Sequence, residues 1–150
     1  MILAVDPGAE GALAWLWEAG GLYRIHDMPM IDKQVSSPLL SEMLRETAVT
    51  VAVVEQVSAM PGQGVSTMFK MGRNYGTLLG ALGALNIRTE HVTAAKWKRD
   101  MGLSKDKNLS RRRAAERWPE HAELFARVKD DGRAEAALLG AWWLTMGREA

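Results

Sequence analysis

Two apolar runs that each end in a carboxylate constrain the fold more than any other feature of this sequence. The first covers residues 1–6 and ends at Asp6; the second covers residues 50–55 and ends at Glu55. Both runs are typical of buried β-strands. A charged group that ends a buried strand is costly unless something neutralises it. If the two strands are neighbours, the two carboxylates lie side by side at one edge of a sheet, where open α/β sheets tend to place their sites.

The other sequence patterns complete an alternation of strands and helices. They predict a hairpin over residues 11–26, a helix that is capped by Ser37 and continues to about residue 47, a helix over 67–85 and a strand over 87–92. A further helix is predicted to begin at Thr93, another to be capped by Asn108, and the last to be capped by Asp130 or Asp131. This order predicts one α/β domain over residues 1–150, with a mixed central sheet of about five strands and helices on both faces.

The last predicted helix begins with two acids on one face. Asp131 and Glu135 are four residues apart, and like charges at this spacing repel unless a cation lies between them. Ordinary structural roles are the alternative. Asp6 precedes a Pro-Gly pair and suits a turn, and Asp131 and Glu135 suit an N-cap and a first-turn acid at the positive end of the helix dipole.

Together the four acids form an all-oxygen set of candidate ligands. Such sets suit Mg²⁺ or Mn²⁺ rather than zinc. Divalent ions held about 3.5–4 Å apart catalyse in-line displacement at phosphodiesters. We therefore predict a site with two Mg²⁺ ions, for which Mn²⁺ substitutes, and no small-molecule cofactor. The predicted catalytic residues, which are also the predicted metal ligands, are Asp6, Glu55, Asp131 and Glu135.

A local block of positive charge is the second functional signal. Residues 96–118 contain nine basic and three acidic side chains, a net charge of +6, whereas the whole chain carries only +1. Such a block is typical of phosphate binding, and a solvated helix face is the alternative. The candidate DNA-binding residues, in this block and in the long predicted helix before it, are Lys98, Lys105, Lys107, Arg111, Arg112, Lys70 and Arg73.

Composition excludes some classes of site and location. The chain has no cysteine, which rules out disulfides and thiolate metal sites. No apolar run approaches the roughly 20 residues needed to span a bilayer, so no membrane partner is expected. The first apolar run also lacks the basic region that begins a signal peptide. We therefore expect a cytoplasmic protein.

Six short segments, in the same order along the chain, resemble RuvC-type Holliday junction resolvases. They are residues 1–12 (MILAVDPGAEGA), 53–57 (VVEQV), 70–76 (KMGRNYG), 97–98 (WK), 106–107 (DK) and 131–136 (DGRAEA). The likeness covers nearly the whole chain. The short form of the sequence resembles the phage-encoded members of the family, and this resemblance implies a bacterial cell as the location of the protein.

The resemblance implies an RNase H-like fold, a homodimer and Mg²⁺-dependent paired nicks across a four-way DNA junction that leave 5'-phosphate and 3'-hydroxyl ends. It assigns Asp6 and Glu55 to the first two catalytic acids of the family, and Asp131 and Glu135 to the acids of its last helix. It assigns Lys98 and Lys107 to two basic positions that contact DNA. It also places the long helix, which carries Gly72, Gly76 and Gly80, near the dimer axis.

Two departures from the family pattern leave alternatives open. No aromatic residue follows Glu55 closely, and the acids of the last helix are four residues apart, with Asp130 as a competitor for Asp131. The alternative function is a less selective RNase H-like nuclease that acts on flaps, forks or RNA–DNA hybrids. A DNA-binding protein without catalysis is disfavoured, because such a protein gains nothing from acids beside a phosphate backbone.

Overall fold

A computed structural model describes residues 1–149 and is built around a five-stranded mixed sheet. The strands of this sheet are Ile2–Asp6 (β1), Ala12–Leu16 (β2), Leu22–Asp27 (β3), Val51–Glu55 (β6) and Thr89–Val92 (β7). Met30–Ile31 (β4) and Gln34–Val35 (β5) form a separate two-stranded hairpin. The order across the sheet is β3-β2-β1-β6-β7, with β2 antiparallel to its neighbours and β1, β6 and β7 mutually parallel. The predicted mixed sheet of about five strands is confirmed.

Helices cover both faces of this sheet, as the sequence predicts. The α-helices are Ser37–Arg45 (α1), Val65–Ala84 (α2), Ala94–Asp100 (α3), Lys107–Arg117 (α4) and Asp131–Thr145 (α5). Short 3₁₀ helices cover Pro119–Phe125, Val128–Asp130 and Gly147–Glu149. One hydrophobic cluster joins the sheet to α1 and α2, and a second joins its other face to α3, α4 and α5.

The two covered faces explain why the first strand is apolar throughout. Ile2 and Ala4 face the cluster under α5, whereas Leu3 and Val5 face the cluster under α1 and α2. Successive side chains of a strand point to opposite faces, so a strand covered on both sides has no polar alternation. The first residue of β1 that is not fully buried is Asp6.

Parallel pairing brings the two strand-end acids to the same edge of the sheet. β1 and β6 are neighbours, and Val5 pairs with Val54. Asp6 and Glu55 are therefore the next residues on two adjacent strands. This adjacency is the condition on which the predicted acidic site depends.

Helix α5 approaches the sheet closely enough that only glycine fits at two contact points. A Cβ on Gly132 would lie 2.2 Å from the carbonyl oxygen of Glu10, and one on Gly140 would lie 2.4 Å from Leu16 Cδ1. The first contact seats the start of α5 against the turn that follows Asp6. The helix-borne acids thus begin at the same end of the sheet as the strand-end acids.

Several local predictions were wrong. Helix α4 begins at Lys107 and is capped by Asp106, whose carboxylate accepts a hydrogen bond of 2.9 Å from the backbone of Asn108, so Asn108 is not the cap. Helix α1 begins at Ser37 itself rather than after it. The β4–β5 hairpin and the 3₁₀ helix after α4 were not predicted, because strands of two residues and single turns carry too little periodicity. No helix described within residues 1–149 has the length and apolar character needed to cross a membrane.

Candidate active site

Asp6 combines a turn-forming role with an unusual electrostatic environment. Its Oδ1 accepts a hydrogen bond of 3.1 Å from the backbone of Gly8, as the turn interpretation predicts. Burial, together with the smaller effect of the negative charges of Glu55 and Glu135, raises the pKa of Asp6 from its ordinary 3.8 to about 7, although the hydrogen bond from Gly8 and the charge of Lys98 lower it. A carboxyl with this pKa is ready to accept a cation near neutral pH.

Glu55 is held by a tryptophan of the following helix. The indole Nε1 of Trp97 donates a hydrogen bond of 2.8 Å to Glu55 Oε2. Burial, with a contribution from Glu135, raises the pKa of Glu55, whereas the hydrogen bond from Trp97 and the charge of Lys98 lower it. The carboxylate of Glu55 is therefore partly shielded from solvent, and one of its two oxygens already accepts a hydrogen bond.

Glu135 completes the group through an ion pair. Lys98 Nζ lies 2.7 Å from Glu135 Oε1, and both side chains are largely buried. Lys98 is also the cation that lowers the pKa of both Asp6 and Glu55. We call Asp6, Glu55 and Glu135 the acidic cluster. Its three carboxylates, from β1, β6 and α5, are close enough to one another and to Lys98 for their charges to interact.

Asp131 lies beside this cluster and pairs with the second lysine. Its Oδ2 contacts Lys107 Nζ, and a hydrogen bond to Asp131 raises the pKa of Lys107. Asp131 is buried, whereas most of the Lys107 side chain is exposed. Each of the two acids on the inner face of α5 is thus paired with a lysine of the basic block.

Asp130, the competitor for Asp131, has a different set of partners. Its carboxylate accepts hydrogen bonds from the Arg127 side chain, the shortest of 2.8 Å, and lies 3.7 Å from an Arg133 nitrogen. Burial opposes ionisation, but the hydrogen bonds from Arg127 hold the pKa of Asp130 below its usual range. Asp130 therefore anchors the start of α5, and Asp131 is the residue that faces the basic block.

The remaining candidate DNA-binding residues differ in whether their side chains are exposed or already bonded within the protein. Lys105 is exposed, and Arg112 is exposed with Glu116 at 3.9 Å. Arg111 instead donates a hydrogen bond of 3.1 Å to the carbonyl of Ala126 and another to Asn108, which ties α4 to the segment after it. Lys70 and Arg73 lie on α2, which packs on the opposite face of the sheet from α4.

The arrangement does not form a closed metal cage. Within residues 1–149, no three His, Asp or Glu side chains are arranged to hold a metal ion. The carboxylates of Glu135 and Asp131 are instead engaged in ion pairs with Lys98 and Lys107, respectively. Mg²⁺ ordinarily keeps several waters and binds through one or two carboxylates plus substrate phosphates. The carboxylates of Asp6 and Glu55, on two adjacent strands, match that smaller requirement.

Trp97 is the residue of the site that sequence reasoning did not identify. It entered only as part of a two-residue motif, with no role of its own. Its position one turn into α3, directly after a strand that neighbours Glu55, was the available signal. The hydrogen bond to Glu55 depends on the packing of a side chain 42 residues away, which no local pattern contains.

Comparisons with known proteins place this geometry in context. No protein-family model matches the chain. A chloroplastic Holliday junction resolvase of Chlamydomonas reinhardtii is 30% identical over 93 residues, which is 61% of this chain and 10% of that protein. The chain therefore spans about a tenth of the length of the curated relative it matches.

Solved structures give a match over almost the full length. RuvC of Thermus thermophilus in complex with a Holliday junction substrate matches with a TM-score of 0.67 at 13% identity, covering 97% of this chain and 95% of that one. A second T. thermophilus RuvC structure matches with a TM-score of 0.58 at 14% identity, covering 97% and 96%. The resemblance to RuvC-type proteins found in the sequence motifs is confirmed at the level of the fold. This chain has the RNase H-like fold of the RuvC resolvases.

Proposed function

We propose that this protein is a structure-selective, metal-dependent DNA endonuclease that resolves Holliday junctions by paired nicks with 5'-phosphate and 3'-hydroxyl ends. One observation carries the proposal. Glu135 of the acidic cluster forms an ion pair with Lys98 in the most basic segment of the chain, and the charge of Lys98 also acts on Asp6 and Glu55. Metal-dependent hydrolysis of a phosphodiester requires both carboxylates that bind the metal ion and cationic side chains that bind the phosphate.

Asp6 and Glu55 are the residues that would hold Mg²⁺, with Glu135 and Asp131 as further oxygen ligands. When bound, the metal supplies an activated water and stabilises charge at the phosphate. Asp6 is suited to this role because its carboxyl retains a proton up to about pH 7 in the absence of extra positive charge. A divalent ion therefore replaces a proton there rather than an existing salt bridge.

Lys98 and Lys107 are the residues that would hold the scissile strand. Each ammonium already contacts a carboxylate of α5, so its position is fixed relative to the acidic cluster. Lys105 and Arg112, which are exposed on the same basic block, extend the surface along the DNA backbone. Lys70 and Arg73 would contact a separate arm of the branched DNA from α2.

Two copies of the chain are needed for paired nicking, because a four-way junction has two-fold symmetry and each chain carries one acidic cluster. Helix α2 supports this requirement. Its exposed face carries Val65 and Phe69, which are 84% and 70% exposed, followed by small residues at the spacing of one helical face: Gly72, Gly76, Gly80 and Gly83. Apart from the adjacent residues and the backbone of its own helix, a Cβ at any of these glycines would have no atom within 4 Å, so this face is bare in the single chain.

A cleavage assay with matched substrates tests the proposal. The protein is incubated with an end-labelled four-way junction, a flap, a fork, an RNA–DNA hybrid and a linear duplex of the same sequence, each with Mg²⁺ and with EDTA. We expect symmetric nicks in two opposed strands of the junction, products that DNA ligase reseals, and no cutting in EDTA. Equal cutting of flaps, forks or hybrids would instead support the less selective nuclease. Undiminished cutting in EDTA would contradict the metal-dependent mechanism.

A further inference from the structure

The indole of Trp97 is an internal support for the carboxylate of Glu55. Trp97 is 0% exposed, and its Nε1 lies 2.8 Å from Glu55 Oε2. An indole N–H can only donate, so the oxygen that it contacts must act as an acceptor. The contact therefore fixes the position of Oε2 as a hydrogen-bond acceptor. The other carboxylate oxygen, Oε1, takes no part in this hydrogen bond.

The protein holds this indole in a fixed place. Strand β7 pairs with β6 so that Val92 lies opposite Glu55, and Thr93 then caps α3 by accepting a hydrogen bond of 3.3 Å from the backbone of Lys96. Trp97 is thus one helical turn from the strand beside Glu55. Its ring belongs to the hydrophobic cluster under α5, together with residues such as Val53. The ring cannot reorient without disturbing that packing.

Glu55 needs such support more than the other strand-end acid does. A glutamate has three side-chain torsions, whereas Asp6 is shorter and is already fixed by the backbone of Gly8. Lys98 lies near Glu55 but forms its ion pair with Glu135. Among the contacts of Glu55, the hydrogen bond from Trp97 is also the strongest influence that keeps its pKa from rising further.

We propose that Trp97 is a positioning residue that fixes Glu55 through Oε2 and thereby leaves Oε1 oriented to bind the divalent metal ion. The inference rests on the proposed nuclease function and deepens it, because it assigns the support of a metal ligand to a buried residue of α3. Groups that orient metal ligands typically change metal affinity by about 10–100-fold when removed.

Trp97→Phe provides the test, because phenylalanine preserves an aromatic ring in the core and removes the donor. Trp142→Phe is a matched control: Trp142 is also buried in the same cluster and also donates to a carboxylate, that of Asp100 at 3.1 Å, outside the acidic cluster. Calorimetric titration with Mn²⁺ alone, without DNA, measures metal binding. Junction affinity in EDTA and thermal unfolding are measured on the same samples.

We expect Trp97→Phe to weaken Mn²⁺ binding about 10-fold or more while junction affinity in EDTA stays within about twofold of wild type. Trp142→Phe should leave Mn²⁺ binding within about twofold, even if it lowers thermal stability to a similar extent. Equal Mn²⁺ affinity in wild type and both variants would overturn the inference. Glu55→Gln separates the two levels of the argument. If Glu55→Gln removes metal binding and Trp97→Phe does not, only the positioning role of Trp97 is contradicted. If Glu55→Gln itself binds Mn²⁺ and cuts the junction as the wild type does, the proposed function is contradicted.

A second measurement remains decisive if Trp97→Phe does not fold. In the wild-type protein, the indole N–H resonance of Trp97 in an ¹H–¹⁵N NMR spectrum should shift on titration with Mg²⁺. The indole resonance of Trp118, which donates to the carbonyl of Gly20, serves as the internal reference and should not move. A Trp97 resonance that stays fixed while Mg²⁺ binds would contradict the inference.

Discussion

Lys98 and Glu135 form an ion pair of 2.7 Å that joins the basic helix α3 to the acidic start of α5. The side chains are only 20% and 12% exposed, so the pair is more strongly coupled than an ordinary surface salt bridge. The same ammonium group lowers the pKa of Asp6 and Glu55. Lys98 therefore partly neutralises the acidic cluster, and under the proposed function the same ammonium group would also bind a DNA phosphate.

Replacing either lysine should weaken junction binding. We expect Lys98→Met and Lys107→Met each to lower the slope of log affinity against log salt by roughly one unit, if each contacts one phosphate. Methionine keeps most of the side-chain length and removes the charge. Arg45→Met is the control, because Arg45 lies on α1, on the opposite face of the sheet. Fluorescence anisotropy over a salt series checks the slope, and an unchanged slope in both lysine variants would assign these residues to a solvated surface.

Neutralising the acids should separate cutting from binding. Asp6→Asn, Glu55→Gln, Asp131→Asn and Glu135→Gln should each reduce the single-turnover cutting rate by more than about 100-fold, beyond the usual effect of residues that only support a ligand. Junction affinity should stay the same or increase, because a neutral side chain repels phosphate less. Asp100→Asn is the control, since Asp100 is engaged by Trp142 and Lys96 outside the cluster. Near-normal cutting by Asp6→Asn would refute the metal-site proposal.

Asp6→Asn should also stabilise the protein, but only at higher pH. The pKa of Asp6 is raised from 3.8 to about 7 by folding, so below about pH 4 the carboxyl is protonated in both the folded and the unfolded chain. As pH rises to 7, the unfolded chain ionises first, and above pH 7 the folded chain bears the full cost of a buried charge. One pKa unit is about 1.4 kcal/mol, and solvent screening reduces the total, so we expect about 1–3 kcal/mol at pH 8.

Urea unfolding of wild type and Asp6→Asn in EDTA, from pH 4 to pH 8, measures this difference. The two proteins should have nearly equal free energies of unfolding at pH 4 and diverge steadily above it. A difference that does not change with pH would mean that the carboxyl of Asp6 is not buried as the structure describes. That result would leave the cleavage prediction for the same variant untouched.

The sequence predicts the strand-end part of the site because local patterns contain it. Apolar runs of five or six residues that end in an acid specify both the strand and the place where its polarity changes, as at Asp6 and Glu55. Parallel pairing then follows from the alternation of strands and helices. The hairpin β4–β5 and the capping of α4 by Asp106 depend on a few local hydrogen bonds, and periodicity does not register them.

The helix-borne part of the site could not be predicted in the same way. Glu135 meets Lys98 across 37 residues, from a helix whose start lies so close to the backbone of Glu10 that Gly132 has no room for a Cβ. The sequence shows the glycine and both charges but not the approach that joins them. The same limit applies to Trp97, whose role depends on the direction of a buried side chain rather than on its spacing along the chain.

The bare face of α2 is expected to be the dimer interface, and Gly76→Leu tests it. A Cβ on Gly76 would have no atom within 4 Å, so a larger side chain is accommodated in the single chain. Leucine is also a better helix former than glycine by up to about 1 kcal/mol. A loss of assembly therefore reports on the interface and not on the stability of the helix. Gly76→Ala, which adds one methyl group, is the matched control.

Light scattering should show a wild-type dimer at micromolar concentration and a dissociated or weakened Gly76→Leu variant with an unchanged circular dichroism spectrum. On a plasmid that carries a cruciform, paired nicks give linear DNA and single nicks give an open circle. We expect the linear product to fall about 10-fold or more in Gly76→Leu while the open circle persists, because each subunit keeps its own acidic cluster. A wild-type protein that remains monomeric with and without junction DNA would rule out coordinated resolution. The acidic cluster would still account for cutting in that case, and a nuclease that nicks branched DNA one strand at a time would become the better description.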